Sequence, residues 1–167
     1  MKPSIYLAGA IRDGRVHDIH WRERFIDALS GVATLLNPVG GKTYDTGTRE
    51  WRMSGRPSTA QAIVPHDFWM LDHADIAVFN FQALAEGYPC IGSLVEFGRA
   101  TARGCLRYSI VSAGFTGHQN GAMYALHPFL EQNSAMVFGL ESDCLRFLRN
   151  HLPVLAGTAP SFGGYVK

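Results

Sequence analysis

With 167 residues, 47% of them apolar and 17% charged, the chain has the size and composition of one globular domain. A formal net charge of +1 gives no case for binding a nucleic-acid polymer or a membrane surface. The three cysteines, Cys90, Cys105 and Cys144, have no metal-site or disulfide-framework spacing, the N-terminal apolar run is too short for a signal peptide, and no run reaches membrane-spanning length. A cytoplasmic location is therefore expected.

Residues 4–8 form an apolar run closed by Gly9, the pattern of a buried strand. Residues 18–30 place Trp21, Phe25, Ile26 and Leu29 at helical spacing, with Gly31 as a stop. Residues 32–36 form a second strand ending at Asn37-Pro38, and residues 37–58 are expected to be a long polar, glycine-rich loop. Ser58-Thr59 is positioned to cap a helix reaching about His73, with Pro65 expected to kink it or to mark its start. A third strand follows over 76–81, then a helix over 91–103 stopped by Gly104, and a fourth strand over 106–111. Residues 114–121 read as a flexible connection, 135–138 as a short fifth strand, and 142–151 as a last helix capped by Ser142-Asp143. The Gly- and Pro-containing residues 153–167 are expected to be a tail, leaving residues 1–152 as the catalytic domain.

Strands alternating with helices imply crossover connections. The expected fold is a single-domain α/β structure, a three-layer αβα sandwich around a mainly parallel five-stranded sheet of Rossmann or flavodoxin type. Ligands of such sheets bind beyond the carboxyl ends of the strands, where Gly9–Arg15, 84–92 and 114–121 are expected to lie.

Glu96 stands in the run Gly92-Ser-Leu-Val-Glu-Phe-Gly with no charged residue beside it to pair with. A carboxylate in such apolar company is either satisfied from elsewhere in the fold or engaged in chemistry. Asp67, beside Phe68, Trp69 and Leu71, also has apolar neighbours; burial suits it to general acid work, and a surface position on an amphipathic helix is the other reading. Asp75, directly before the third strand, is expected to anchor local backbone. In the first loop Arg12 or Arg15 is able to bind an anion, or is simply solvated. That loop lacks a complete G-x-G-x-x-G, and the seven histidines form no H-x-x-x-H or H-E-x-x-H pattern. Gly40-Gly-Lys-Thr43 resembles only the tail of a Walker sequence and is read as loop. No G-x-S-x-G elbow is present. Trp21, Trp51 and Trp69 read as core or lid residues, Trp51 being the one placed to stack on a base, and Met123, Leu126, Phe129 and Leu130 as packing or a subunit contact.

Taken together, Ile5-Tyr6-Leu-Ala-Gly9, His66-Asp67 with Ala74-Asp75, and Gly92-Ser-Leu-Val-Glu96-Phe-Gly resemble the nucleoside 2-deoxyribosyltransferase superfamily over roughly the first two-thirds of the chain. The resemblance implies that Glu96 is the nucleophile, that Asp67 belongs to the active site and supplies the proton for the leaving base, and that Tyr6 hydrogen-bonds the nucleophile. It implies substrate contacts at Gly9, Ile11, Arg12, Cys90, Gly92 and Ser93. The implied reaction forms a glycosyl-glutamate intermediate from a (deoxy)nucleoside and transfers the sugar to another base. No metal or organic cofactor is required, and a homo-oligomer with sites shared between subunits is expected. Six residues before the nucleophile, transferases of this family usually carry a base-contacting aspartate, and the related nucleoside 5′-monophosphate N-glycosidases a serine that helps hold phosphate. This chain has Cys90 there. The Arg- and Gly-bearing first loop resembles the phosphate loop of those N-glycosidases, so hydrolysis of a nucleotide stays open beside transfer. A module that senses nucleotides without turnover is the third reading. Phe162-Gly-Gly-Tyr165 is a further segment placed to reach an active site, as the C-terminus does in some transferases.

Overall fold

A computed structural model describes residues 2–12, 15, 17–40, 42–45, 50–53, 56–57, 60–112, 118–119, 122–123 and 127–155. The organising element is β1 (Ser4–Gly9), whose alternation sends Ile5 and Leu7 to one face of the sheet and Tyr6 and Ala8 to the other. It pairs in parallel with β2 (Thr34–Leu36) on one side and with β6 (Ile76–Asn80) on the other, and β6 pairs in parallel with β7 (Leu106–Ile110). The edge strand is β10 (Met136–Phe138), giving a five-stranded, all-parallel sheet in the order β10-β7-β6-β1-β2. All five residues of β6 are buried, as a strand covered on both faces requires.

Two cores sandwich the sheet. On one face α1 (His17–Leu29) and α5 (Glu141–Leu155) bring Trp21, Phe25, Leu29, Cys144, Leu148 and Leu152 against Ile5, Leu7, Ile76 and Val78. On the other, α2 (Ala60–Asp72), α3 (Ile91–Ala102) and the short α4 (Pro128–Asn133) bring Leu71, Phe97, Ala100 and Leu130 against Tyr6, Ala8, Ala77 and Phe79. Asp75 ties the start of the sheet together: its Oδ2 accepts from the Ser4 amide and hydroxyl, both at 2.8 Å, and these bonds hold its carboxyl below the usual range.

The region expected to be a long loop instead contains a three-stranded antiparallel sheet of β3 (Lys42–Asp45), β4 (Glu50–Met53) and β5 (Arg56–Pro57). Its pairing satisfies backbone groups in strands of at most four residues, too short and too polar to display an apolar alternation. Two-residue strands β8 (His118–Gln119) and β9 (Ala122–Met123) likewise pair within and beside the expected flexible connection; the rest of residues 114–121 lies outside the described residues. Helix α2 runs through Pro65 rather than starting after it, held by buried Asp67, Met70 and Leu71 on its C-terminal side. The expected cap at Ser58-Thr59 lies outside the described residues.

The last helix begins at Glu141, so Ser142-Asp143 lies in its first turn; the Asp143 amide bonds to the Leu140 carbonyl at 3.2 Å. It also continues through Pro153 to Leu155, because fully buried Leu148 and Leu152 hold its final turns on the core. The expected tail therefore loses its first three residues to α5, and residues 156–167, including Phe162–Tyr165, lie outside the described residues. Trp21 is core, whereas Trp69 is exposed and lies on the His73 ring at 4.2 Å. Leu130 is buried, but Phe129 is 74% exposed; Leu126 and the side chains of Trp51 and Met123 lie outside the description. No described helix is long and apolar enough to cross a membrane.

Candidate active site

The order of the main sheet reverses at β1 and β6: the chain leaves β1 for β2 on one side and continues from β6 to β7 on the other. This is a topological switch point, where open α/β sheets bind ligands beyond the strand ends. Gly9 and Asn80 end the two strands in register. A Cβ on Gly9 would lie 3.1 Å from the Trp21 ring and 3.2 Å from the Asn80 carbonyl oxygen, so the close approach of backbone here favours glycine. Asn80 turns the chain out of β6, accepting from the Gln82 amide at 3.0 Å and donating to Glu141 Oε1 at 3.0 Å.

Beyond this edge lies a pocket of about 290 Å³ lined by Gly9, Ala10, Ile11, Asp67, Tyr88, Pro89, Cys90, Ile91, Gly92, Ser93 and Glu96. It thus gathers Gly9, Ile11, Asp67, Cys90, Gly92, Ser93 and Glu96 from three separate stretches of sequence. Tyr6, fully buried on β1, reaches it from below: its hydroxyl donates to Glu96 Oε1 at 2.8 Å. Glu96 sits on the second turn of α3. Gly92 is open to the pocket, since a Cβ there would meet nothing within 4 Å. The apolar residues around Glu96 do not form a single buried face: Phe97 is buried, while Ile91 and Val95 are 67% and 55% exposed.

Burial pushes the Glu96 carboxyl up to about 7. The Tyr6 hydrogen bond opposes that rise, the Asp67 charge adds to it, and Arg22 and Lys42 oppose it. The Tyr6 hydroxyl is itself held far above its ordinary range, chiefly by burial and then by Glu96 and Asp67, so it remains a neutral donor. Asp67 is buried rather than surface-exposed, and its Oδ1 meets Lys42 Nζ at 3.2 Å and His66 Nδ1 at 3.0 Å.

Cys90 immediately precedes α3 at φ 47° and ψ 37°, a left-handed conformation that no other described non-glycine residue adopts. Burial pushes its thiol up to about 11, which keeps it protonated at neutral pH. Arg12 does not line the pocket. Its guanidinium grips Asp18 through Nε at 2.8 Å and Nη2 at 2.7 Å, and reaches Glu86 through Nη1 at 2.6 Å. Arg15 also ends on Glu86, at 2.7 Å. The sequence reading missed Lys42, which carries no signal in a stretch taken for loop. It also missed Arg22, whose helix position discloses neither its complete burial nor its bonds to the Leu7 carbonyl at 3.1 Å, the Gly9 carbonyl at 2.8 Å and the Asp18 carbonyl. No metal-binding group of three or more His, Cys, Asp or Glu exists among the described residues.

No protein-family model matches the chain, and no curated protein matches it by sequence. Solved structures do match by fold. A conserved protein from Enterococcus faecalis V583 aligns over 90% of this chain and 99% of its own, at a TM-score of 0.68 and 14% identity. A 2-deoxyribosyltransferase from the psychrotolerant bacterium Bacillus psychrosaccharolyticus aligns over 90% and 96%, at 0.61 and 15%. A 2-desoxiribosyltransferase from Leishmania mexicana aligns over 89% and 98%, at 0.64 and 15%. The fold is that of the nucleoside 2-deoxyribosyltransferases.

Proposed function

We propose that the chain is a nucleoside 2-deoxyribosyltransferase-like enzyme in which Glu96 attacks C1′ of a (deoxy)nucleoside. The observation that carries this reading is the Tyr6–Glu96 hydrogen bond at 2.8 Å, set at the switch point in a pocket that also holds Asp67. As the C1′–N bond breaks through an oxocarbenium-like state, a bond forms between C1′ and a Glu96 carboxylate oxygen. The departing base takes a proton delivered by Asp67, directly or through water, and His66 Nδ1, 3.0 Å from Asp67 Oδ1, helps hold that carboxyl in place. A second base then attacks C1′, releases Glu96 and returns its proton to Asp67, so the configuration at C1′ is retained. Tyr6 orients the carboxylate and, as a neutral donor, steadies its charge.

Transfer from a nucleoside ranks above hydrolysis of a nucleoside 5′-monophosphate because no lysine or arginine lines the pocket among the described residues, and Arg12 and Arg15 are engaged by carboxylates. A homo-oligomer with shared sites is part of the proposal. Exposed Ile91 and Val95 on α3 and Phe129 on α4 flank an apolar cavity of about 470 Å³ lined by Leu84, Leu94, Phe97 and Leu130. Ile91 also lines the catalytic pocket, so a subunit covering this face would help wall that pocket.

The test is a product assay over 2′-deoxynucleosides and their 5′-monophosphates, with and without an acceptor base, that reports free and transferred base separately. Exchange of base on a deoxynucleoside, with a sugar adduct on the intact protein that Glu96→Ala and Glu96→Gln both lack, is the expected result. Undiminished turnover in either variant overturns the role of Glu96. A strict need for phosphate with no gain from added base assigns hydrolysis instead, and nucleotide binding without base release assigns a sensor.

A further inference from the structure

We propose that Tyr88 is the nucleobase platform of the pocket, a braced aromatic ring on which the departing and the incoming base stack. The inference deepens the glycosyl-transfer reading and rests on it for the nature of the ligand.

Among the described residues that line the pocket, Tyr88 is the aromatic one, and it is 39% exposed. Asp67 and Glu96 bring the pocket its carboxyl groups, whereas Ile11, Tyr88 and Pro89 bring it apolar surface. A transferase takes one base off and puts another on, so it needs a surface that grips a flat π system without fixing which base it is. An aromatic ring does this, because stacking uses the face that every base has.

The segment carrying the ring is held at both ends. A short 3₁₀ helix (Gln82–Glu86) stops at Gly87, whose φ of 79° lets the Gly87 and Tyr88 amides return to the Leu84 and Ala83 carbonyls, both at 3.0 Å. Pro89 restricts the Tyr88 backbone from the other side. Cys90, the residue with the left-handed backbone, then turns the chain directly into α3. Such a conformation persists where the surrounding structure requires it, and here it joins Tyr88-Pro89 to the helix that carries Glu96.

The ring itself is braced. The Arg12 guanidinium lies over it, 5.6 Å from its centre, at the distance of a cation–π contact. Arg12 is in turn held by Asp18 at 2.8 and 2.7 Å and by Glu86 at 2.6 Å. The Arg12 network does not line the pocket, yet it thereby acquires a task in base binding. It fixes the ring before a ligand arrives, so less side-chain freedom is lost on stacking. The side chain of Trp51, which the sequence places to stack on a base, lies outside the described residues.

The test is the binding of free adenine and free cytosine to the wild-type protein with no sugar donor present, followed by NMR of the base protons. Steady-state kinetics on the matching 2′-deoxynucleosides run beside it. A base stacked on Tyr88 should show upfield shifts of its ring protons, from the ring current of the tyrosine. Tyr88→Leu, which keeps apolar bulk without a ring, should abolish those shifts and weaken both bases about tenfold. KM for both deoxynucleosides should rise by about the same factor, with the loss in KM rather than in kcat. Tyr88→Phe, which keeps the ring, should restore the shifts and the affinity. Bases that do not bind, that bind without an upfield shift, or that bind Tyr88→Leu as tightly as wild type overturn the proposal. Equal losses in Tyr88→Leu and Tyr88→Phe overturn it as well, because they assign the hydroxyl rather than the ring. If the wild-type protein exchanges bases and Tyr88→Leu does so with an unchanged KM, the platform fails and the transferase reading stands. If ring-dependent shifts are present but no glycosidic bond is cleaved, the transferase reading fails and the platform stands.

Discussion

Tyr6 and Glu96 are separated by 90 positions in sequence, yet the Tyr6 hydroxyl donates to Glu96 Oε1 at 2.8 Å. The bond crosses from an inner strand of the sheet, β1, to the helix that borders the ligand edge. It fixes both the rotamer of the carboxylate and part of its charge balance, since it favours the ionised form against the burial that disfavours it.

Replacing Tyr6 with Phe separates these effects from packing, because the ring is kept and only the donor is lost. The Glu96 midpoint should rise above about 7, carrying the acidic limb of kcat/KM upward by about one pH unit. A pH–rate profile reads the shift. The stability loss, about 1 kcal/mol, should be visible in urea unfolding.

Glu96→Gln should abolish turnover and make the protein more stable at alkaline pH. The folded value of about 7 lies above the ordinary 4.5, so between those pH values the unfolded chain has lost a proton that the folded chain still holds. Stability present below pH 4.5 is lost progressively as pH rises through 7, to a total of about 3 kcal/mol. The glutamine carries no such penalty, so the variant's advantage should grow by about that amount from pH 4 to pH 8 in urea titrations at the two pH values. An advantage independent of pH would contradict the burial of an ionising group here.

The alternation of strands and helices was legible because the inner strands β1 and β6 carry apolar runs, over residues 5–8 and 76–79. The cluster of Tyr6, Asp67 and Glu96 was legible through short motifs whose order resembles a known family. Lys42 was not, because its partner lies 25 residues away and nothing in Gly40-Gly-Lys-Thr encodes a pairing across layers. Nor was the occupation of Arg12 and Arg15 legible: a sequence displays the cations of a loop but not that Glu86, more than 70 residues on, folds back between them.

Arg22 is the hidden support of the same edge. Its guanidinium is wholly buried, donates to the carbonyls of Leu7, Gly9 and Asp18, and has its ionisation pulled down to about 10, chiefly by burial. Arg22→Met leaves these buried carbonyls without their donor and should destabilise the protein by about 3 kcal/mol in urea unfolding. Arg22→Lys should recover little, since a single ammonium does not reproduce a planar fork aimed at three acceptors.

If the pocket binds nucleosides as proposed, Glu86 should influence whether a 5′-phosphate is accepted. Its Oε2 lies 2.6 Å from Arg12 Nη1 and 2.7 Å from Arg15 Nη1, and the Arg12 guanidinium lies 5.6 Å from the centre of the Tyr88 ring, which lines the pocket. An internal carboxylate therefore occupies both arginines of the first loop, and a 5′-phosphate would have to displace it to engage them. Glu86→Ala frees Arg15 and one edge of Arg12, while Asp18 keeps the Arg12 side chain in place. The variant should lower KM for deoxynucleoside 5′-monophosphates by about tenfold, the scale of one charge-assisted hydrogen bond. Its KM for uncharged deoxynucleosides should stay within about twofold, because a half-exposed carboxylate that does not line the pocket contributes little to a neutral ligand. Steady-state kinetics on the paired substrates measure both. A wild-type preference for monophosphates, lost rather than strengthened in Glu86→Ala, would reverse the assignment and make Glu86 a support of phosphate binding.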